Sequence, residues 1–227
     1  MARFSPATNI LTKQFRFIMQ IMMKNLHFQR LAAIGLLAFV FPFCKQNSVE
    51  TAEARDAEGR LERYQRRKSD YAKEGLYQRF RADNTLMEEA TYQNDTLEGE
   101  RKYFYPNGKQ ESVERYHKGV IDGKFQKFYD NGALQVEQTY QNGVLEGLSI
   151  AFYPNGAVKE KVMLRNNEED GAFSEYYETG KLKTEGFYEP GDDGPLETGT
   201  LKEYDETGQL IRVAECAKGI CNTKWKK

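Results

Sequence analysis

The chain repeats itself every 24 residues, and no other property of its 227 residues constrains the fold as tightly. Gly75, Gly99, Gly123, Gly147 and Gly171 stand 24 apart, and Gly199 follows after a 28-residue step. Nine residues beyond each opening glycine comes Gly108, Gly132, Gly156, Gly180 or Gly208, with Asn84 in that place in the first copy. From Glu98 the copies read EGERKYFYPNGKQESVERYHKGVI, DGKFQKFYDNGALQVEQTYQNGVL and EGLSIAFYPNGAVKEKVMLRNNEE. DGAFSEYYETGKLKTEGFYEPGDDGPLE and TGTLKEYDETGQLIRVAECAKGIC follow, and the divergent EGLYQRFRADNTLMEEATYQNDTL precedes them from Glu74. A unit this short cannot bury a core alone, so neighbouring copies must stack.

The segments YPNG and YDNG end in Asn-Gly, a hairpin signal in which both residues tolerate positive φ. The Glu-Gly or Asp-Gly that opens each copy is expected to supply the return turn between repeats. Between the turns lie runs rich in Phe, Tyr, Val and Thr interleaved with Lys, Glu and Gln, which is strand composition. Each copy therefore reads as one β-hairpin. Five residues past the opening glycines stand Phe80, Phe104, Phe128, Phe152, Tyr176 and Tyr204. Return strands carry Leu86, Leu134, Val158, Leu182 and Leu210 at one position, broken only by Gln110, and Tyr92, Tyr116, Tyr140 and Tyr188 later on, with Leu164 and Cys216 as exceptions. Stacked, these side chains would form one apolar spine.

The pattern G-x-x-x-x-[FY]-[FY]-x-N-G-x-[LV], followed by a Tyr and a return turn, resembles the MORN-repeat variant found in many bacterial proteins. The resemblance covers residues 74–221 and implies an all-β fold: an elongated, single-layer antiparallel meander of about six stacked hairpins (74–97, 98–121, 122–145, 146–169, 170–197 and 198–221). It implies no catalytic residue and no cofactor. Residues 56–73 read as a half-repeat or linker, because Gly59-Arg60-Leu61 parallels Gly180-Lys181-Leu182. Residues 222–227 form a tail.

The N-terminus reads as an address. Lys24 and Arg30 precede thirteen uncharged, mostly apolar residues from Leu31 to Phe43, a signal-peptide length too short to span a membrane. Translation is expected to start at Met22 or Met23, with residues 1–43 comprising an upstream extension and the signal. Cys44 ends the apolar stretch and polar sequence follows at once, which resembles a bacterial lipoprotein signal with Cys44 diacylated. Phe41-Pro42-Phe43 stand where such signals place a small residue, so an uncleaved anchor is the alternative reading. Residues 44–55 then read as a flexible tether.

Chemistry is sparse. Cys216 and Cys221 are a candidate disulfide for an oxidising compartment, with free thiols as the alternative. The histidines are His27 and His117, too few for a His-based metal cluster. The acids before the opening glycines (Glu74, Glu98, Asp122, Glu146 and Asp170) read as turn residues, and a row spaced by two strands is too wide for a retaining carboxylate pair. Asp192 and Asp193, in the inserted loop EPGDDGPLE, are candidate calcium ligands and equally ordinary loop residues. Nucleic acid is not the expected partner: Arg3, Lys13, Arg16, Lys24 and Arg30 leave the first 44 residues without an acid, so the remaining body is net acidic within an overall charge of -1.

The expected binding face is the second aromatic row, Tyr105, Tyr129, Tyr153 and Tyr177, since Tyr offers area and a hydroxyl. These features suggest a non-enzymatic lipoprotein of the bacterial envelope that presents a β-surface to a protein partner, with edge-to-edge self-association open to it. A cytoplasmic antitoxin or immunity-like protein is the alternative. An enzyme using Asp192, Asp193 or Glu197 is a third class.

Overall fold

The computed structural model describes residues 48–227, and no helix occurs among them. The first strands are β1 (Val49–Arg55), β2 (Leu61–Arg67), β3 (Lys73–Phe80), β4 (Leu86–Gln93), β5 (Thr96–Phe104) and β6 (Gln110–His117). The middle holds β7 (Val120–Ile121), β8 (Gly123–Phe128), β9 (Leu134–Gln141), β10 (Val144–Leu145), β11 (Gly147–Phe152) and β12 (Val158–Arg165). Last come β13 (Glu168–Tyr176), β14 (Leu182–Glu189), β15 (Leu196–Tyr204), β16 (Leu210–Ala217) and β17 (Ile220–Lys226). Successive strands pair antiparallel in a single open sheet, except β7 with β8 and β10 with β11. Strands β7 and β8 are two parts of one strand against β6, and β10 and β11 likewise against β9. The meander of hairpins expected from the period is the observed fold.

The turn chemistry differs from the sequence reading in both places. In Tyr105-Pro106-Asn107-Gly108 only the glycine takes positive φ (80°), while Asn107 Oδ1 accepts the N–H of Lys109 at 2.9 Å. That is a type I turn with Pro at its second position and a glycine bulge after it. Asn84 (φ 64°) fills the same left-handed place in the first copy, as the sequence implies. The opening glycines, by contrast, do not make the return turns. Those turns are Asn94-Asp95, Lys118-Gly119, Asn142-Gly143, Asn166-Asn167 and Lys218-Gly219, with positive φ at both residues, the type I′ geometry that matches strand twist. Gly171 (φ 123°) instead lies in the following strand, where the register breaks between Val162 and Leu164. A bulge, not a turn, needs its left-handed backbone, and a Cβ there would meet Met163 Cβ at 3.1 Å.

The expected spine is split between two faces. Phe80, Phe104, Phe128, Phe152, Tyr176 and Tyr204 pair across the hairpins with Leu86, Gln110, Leu134, Val158, Leu182 and Leu210. Tyr92, Tyr116, Tyr140, Leu164, Tyr188 and Cys216 lie opposite the opening glycines, on the other face. The most buried pairs belong to a row that the sequence does not announce, two residues past each opening glycine. Its pairs are Tyr77 with Ala90, Arg101 with Glu114, Phe125 with Gln138, Ser149 with Val162, Phe173 with Gly186, and Leu201 with Ala214, the second and third of them half-buried. A large residue faces a small one in the first, fifth and sixth pairs. Gly186 is the limit, since a Cβ there would sit 2.9 Å from Phe173 Cε1 and 3.0 Å from Leu201 Cδ1.

Chemistry along this buried face changes from end to end. Val162, Leu164, Phe173, Leu201, Ala214 and Cys216 make an apolar cluster, with Tyr188 stacked on Phe173 at 4.0 Å between ring centroids. Burying a side chain such as Phe173 contributes about 2 kcal/mol. Towards the N-terminus Glu88, 4% exposed, pairs with Arg101 at 2.8 Å. There Tyr77 donates its hydroxyl to Glu62 at 3.0 Å, and the Lys73 ammonium lies about 5 Å from three ring centroids (Tyr64 5.2, Tyr77 4.9, Tyr92 5.1 Å).

Residues 49–67 depart from the expected tether and half-repeat. Val49–Arg55 is a strand that pairs with Leu61–Arg67 without a break, so these residues form a complete further hairpin. It was hidden because Arg55 and Asp56 stand where later copies carry Phe and Tyr. Asp56 Oδ1 caps its turn by accepting the N–H groups of Glu58 and Arg60, as Asp205 Oδ1 does for Thr207 and Gln209 in the last copy. Residues 222–226, expected as tail, belong to β17.

Candidate interaction surface

The tyrosine row expected to bind a partner is already engaged. Tyr105 donates its hydroxyl to Phe128 O (2.7 Å), Tyr129 to Phe152 O (2.8 Å), Tyr153 to Tyr176 O (2.9 Å) and Tyr177 to Tyr204 O (2.8 Å). Each hydroxyl thus fastens one copy to the backbone of the next, and all four side chains are half-buried. Arg81 replaces the tyrosine in the copy from Glu74 and reaches Phe104 O with its guanidinium. The last described copy has Asp205 there. Asn107, Asn131 and Asn155 add a parallel line of bonds to the carbonyls of Asp130, Pro154 and Glu178. This row is therefore a set of staples and not a free face.

The acids before the opening glycines are also in use. Glu74, Glu98, Asp122 and Glu146 accept the backbone N–H of residues 94, 118, 142 and 166 in the neighbouring return turns, at 3.1, 2.8, 3.4 and 3.1 Å. The Lys118 N–H, and next the imidazole of His117, hold the Glu98 carboxyl below its ordinary range. His117 is itself exposed, with Nδ1 2.9 Å from Glu98 Oε1. Asp170 pairs with Arg165 at 2.6 Å. Asp192 and Asp193 are exposed in the inserted loop, and no group of three His, Cys, Asp or Glu able to hold a metal occurs among the described residues. Glu197 lies in β15 opposite Tyr188. Cys216 and Cys221 are joined in a disulfide across β16 and β17. The apolar stretch 31–43 and Cys44 lie outside the described residues.

Two groups of perturbed ionisable residues line the buried face. Burial alone would lower the Arg101 guanidinium, and the Glu88 carboxylate more than offsets it and raises it. Burial, then Glu88, pushes Tyr103 up to about 12. In the apolar half, burial first and then the Glu169 and Glu175 carboxylates push Glu160 above the ordinary carboxylate range, and burial raises Glu169. Among the described residues the clefts along the sheet are open and near 210–310 Å³.

The informative row lies one residue past each opening glycine, on the face opposite the buried pairs. Its cross-strand pairs are Leu76–Thr91, Glu100–Arg115, Lys124–Thr139, Leu148–Met163, Ala172–Phe187 and Thr200–Glu215. Two successive copies are apolar there and nonetheless open to solvent: Leu148 is 46% exposed, Met163 37% and Phe187 52%. Sequence reasoning missed this patch because it followed the residues that recur, and here the residue changes while the position does not.

The sequence pattern of the MORN repeat variant matches residues 73–94, 97–117, 121–142, 145–166, 169–189 and 197–215, more than half of the chain. The chain belongs to the MORN repeat variant family. The six matches coincide with the hairpins from β3 onward, and the hairpin at 49–67 precedes them. No curated protein matches this MORN-variant chain. Among solved structures it is similar to a porin-like protein from Bacteroides uniformis, at 7% identity over 77% of this chain and 92% of that chain, with a TM-score of 0.21. At that score the likeness carries no argument about this chain.

Proposed function

We propose that this protein is a non-enzymatic repeat protein, exported and held at a cell-envelope membrane through Cys44, that offers the open face of its sheet to a protein partner. The exposed patch of Leu148, Met163 and Phe187 carries the reading. The equivalent positions Glu100, Arg115 and Lys124 show that the fold tolerates charge there, so stability does not require apolar side chains. Contiguous exposed apolar surface marks contact sites, and Phe and Met are enriched in them. The partner segment would present apolar side chains to the patch, with the Glu185–Lys202 ion pair (3.0 Å) beside it as a polar rim. The use of Glu74, Glu98, Asp122 and Glu146 as turn caps and of Asp170 in an ion pair supports a non-enzymatic role, as does membership of a repeat family that is generally non-enzymatic.

The test is a cross-linked capture from native membranes with wild type, Phe187→Asp and Lys124→Asp. Loss of the same partner in Phe187→Asp, and its retention in Lys124→Asp, is the expected result; equal capture by all three sinks the patch as the contact. Intact mass of the membrane-extracted chain beside Cys44→Ala tests the anchor. A chain beginning at Cys44 with added acyl mass is expected, and a full-length unmodified mass in the soluble fraction would turn the search to a cytoplasmic partner.

A further inference from the structure

The two ends of the sheet are built differently. At the C-terminal end, β17 carries Lys224 and Lys226, its register with β16 breaks between Val213 and Ala214, and a disulfide ties it at Cys221. Lysines and bulges are the devices by which open sheet edges avoid pairing. At the other end β1, Val-Glu-Thr-Ala-Glu-Ala-Arg, has none of them: no Lys, Pro, Gly or bulge across its whole register with β2. Its carboxylates are drawn onto the sheet by Arg66 (Glu50, 2.9 Å) and Arg63 (Glu53, 2.6 Å) and so leave the edge clear.

Among the described residues only β2 pairs with β1, and the backbone groups on the other side of β1 can be named. Lys68 donates its N–H to Ser48 O and Asp56 to Arg60 O, which places the hydrogen-bonded pairs of this ladder at the even-numbered residues of β1. Glu50, Ala52 and Ala54 therefore bond to β2, while Val49, Thr51, Glu53 and Arg55 direct N–H and C=O away from the sheet. Such a row is a template for another strand.

The geometry points to a second copy of this chain as that strand, with two β1 edges paired antiparallel about a two-fold axis at Ala52. In this register Val49 faces Arg55, Thr51 faces Glu53, and the small Ala52 faces its own counterpart at the narrow, non-hydrogen-bonded position. Every outward N–H and C=O gains a partner, and no two like charges stand directly opposite each other. β17 is less suited to such pairing, because its two lysines and its bulge blunt that edge. The dimer joins two sheets end to end and leaves both Leu148–Met163–Phe187 patches uncovered. It stands apart from the partner proposed above.

Sedimentation of the full chain in detergent across a dilution series, with residue-resolved hydrogen exchange at both ends of the series, tests the pairing. A species of twice the monomer mass is expected, with the amides of Thr51, Glu53 and Arg55 exchanging at least about tenfold more slowly when concentrated than when dilute. The amides of Glu50, Ala52 and Ala54 should be protected throughout. Thr51→Pro removes an outward N–H at an edge position that tolerates proline, so it should abolish the dimer and keep the protection of Ala52 and Ala54. Should that variant lose the β1–β2 hairpin as well, the dilution series of the wild type decides. A dimer whose odd-numbered amides exchange freely overturns the proposal, and so do a monomer at all concentrations and open-ended oligomers. Protection of those amides that ignores dilution would assign the edge to another part of the same chain, and overturn it too.

Discussion

The second and fifth copies have the same backbone and opposite interiors. In the second, Arg101 and Glu114 face each other two residues past the opening glycine, and Glu88 from the neighbouring copy holds the guanidinium at 2.8 Å. In the fifth the same positions are Phe173 and Gly186, and the ring stacks on Tyr188 at 4.0 Å. The hairpin turns, bulges and tyrosine staples are alike in both, although the fifth copy returns through the inserted loop. What shapes this sheet is therefore the periodic frame of turns and staples, and the filling between strands is free to be ionic or apolar provided that each pair fits. An ionic filling is held only while both partners remain, whereas an apolar one fails by excess or deficit of volume.

That contrast gives the largest expected effect to the ionic half. Glu88→Ala leaves Arg101 without its buried partner and is expected to cost about 3 kcal/mol in denaturant unfolding. Replacing both, as Glu88→Leu with Arg101→Met, should restore most of that loss. If the single substitution proves neutral, the pair is not a core at all. In the apolar half, Gly186→Ala forces a methyl against Phe173 and Leu201 and should cost about 2 kcal/mol, seen as a lower unfolding midpoint at unchanged m-value. Gly132→Ala tests a different demand, positive φ alone, and serves as the control for strain without crowding.

Reduction of Cys216–Cys221 should loosen β17 by about 2 kcal/mol on a chain-entropy estimate. Hydrogen exchange would register this at Ile220–Lys226 and leave β3 to β6 unchanged. The staples predict sameness instead. Tyr105→Phe, Tyr129→Phe and Tyr177→Phe should each cost about 1 kcal/mol, equally in both halves. Unequal costs would mean that the frame, and not only its filling, differs from end to end.

The smallest effect concerns pH. Glu160 and Glu169 are raised in the folded chain, so the fold holds their protons more tightly than the unfolded chain does. Stability then falls as pH rises from the ordinary carboxylate range through the raised values, and mild acid should strengthen β12–β14. Asp70, lowered mainly by the Ala72 N–H and then by Arg67, has the opposite sign and contributes stability that is lost as pH falls through its lowered value. Exchange measured along a pH series should show the two regions moving in opposite directions, and Glu160→Gln should flatten the first.

The period, the hairpins and the antiparallel order were legible because turns demand particular residues, and Asn, Gly and Pro recur where the backbone needs them. The bulge was not, since Glu-Gly before a strand looks the same whether its positive φ serves a turn or an extra residue. The buried row escaped for a different reason: Tyr, Arg, Phe, Ser, Phe and Leu share a position but no chemistry, and only the partner across the hairpin completes each. At the site the tyrosines were seen and misassigned, because the carbonyl that each hydroxyl meets lies 23 or 27 residues further along the chain.

Near-identical hairpins carry a hazard that distinct ones do not, because any strand can mistake a distant copy for its neighbour and the error fits every turn. The unequal fillings remove that ambiguity. A slip of one whole copy would set Arg101 beside Gln138 or Phe173 beside Ala214, leaving a charge without Glu114 or a ring against a methyl where Gly186 has none. The row that looks least regular thus acts as a set of keys cut to different depths. It gives an otherwise uniform chain a single way to close, in the order in which it emerges from the ribosome.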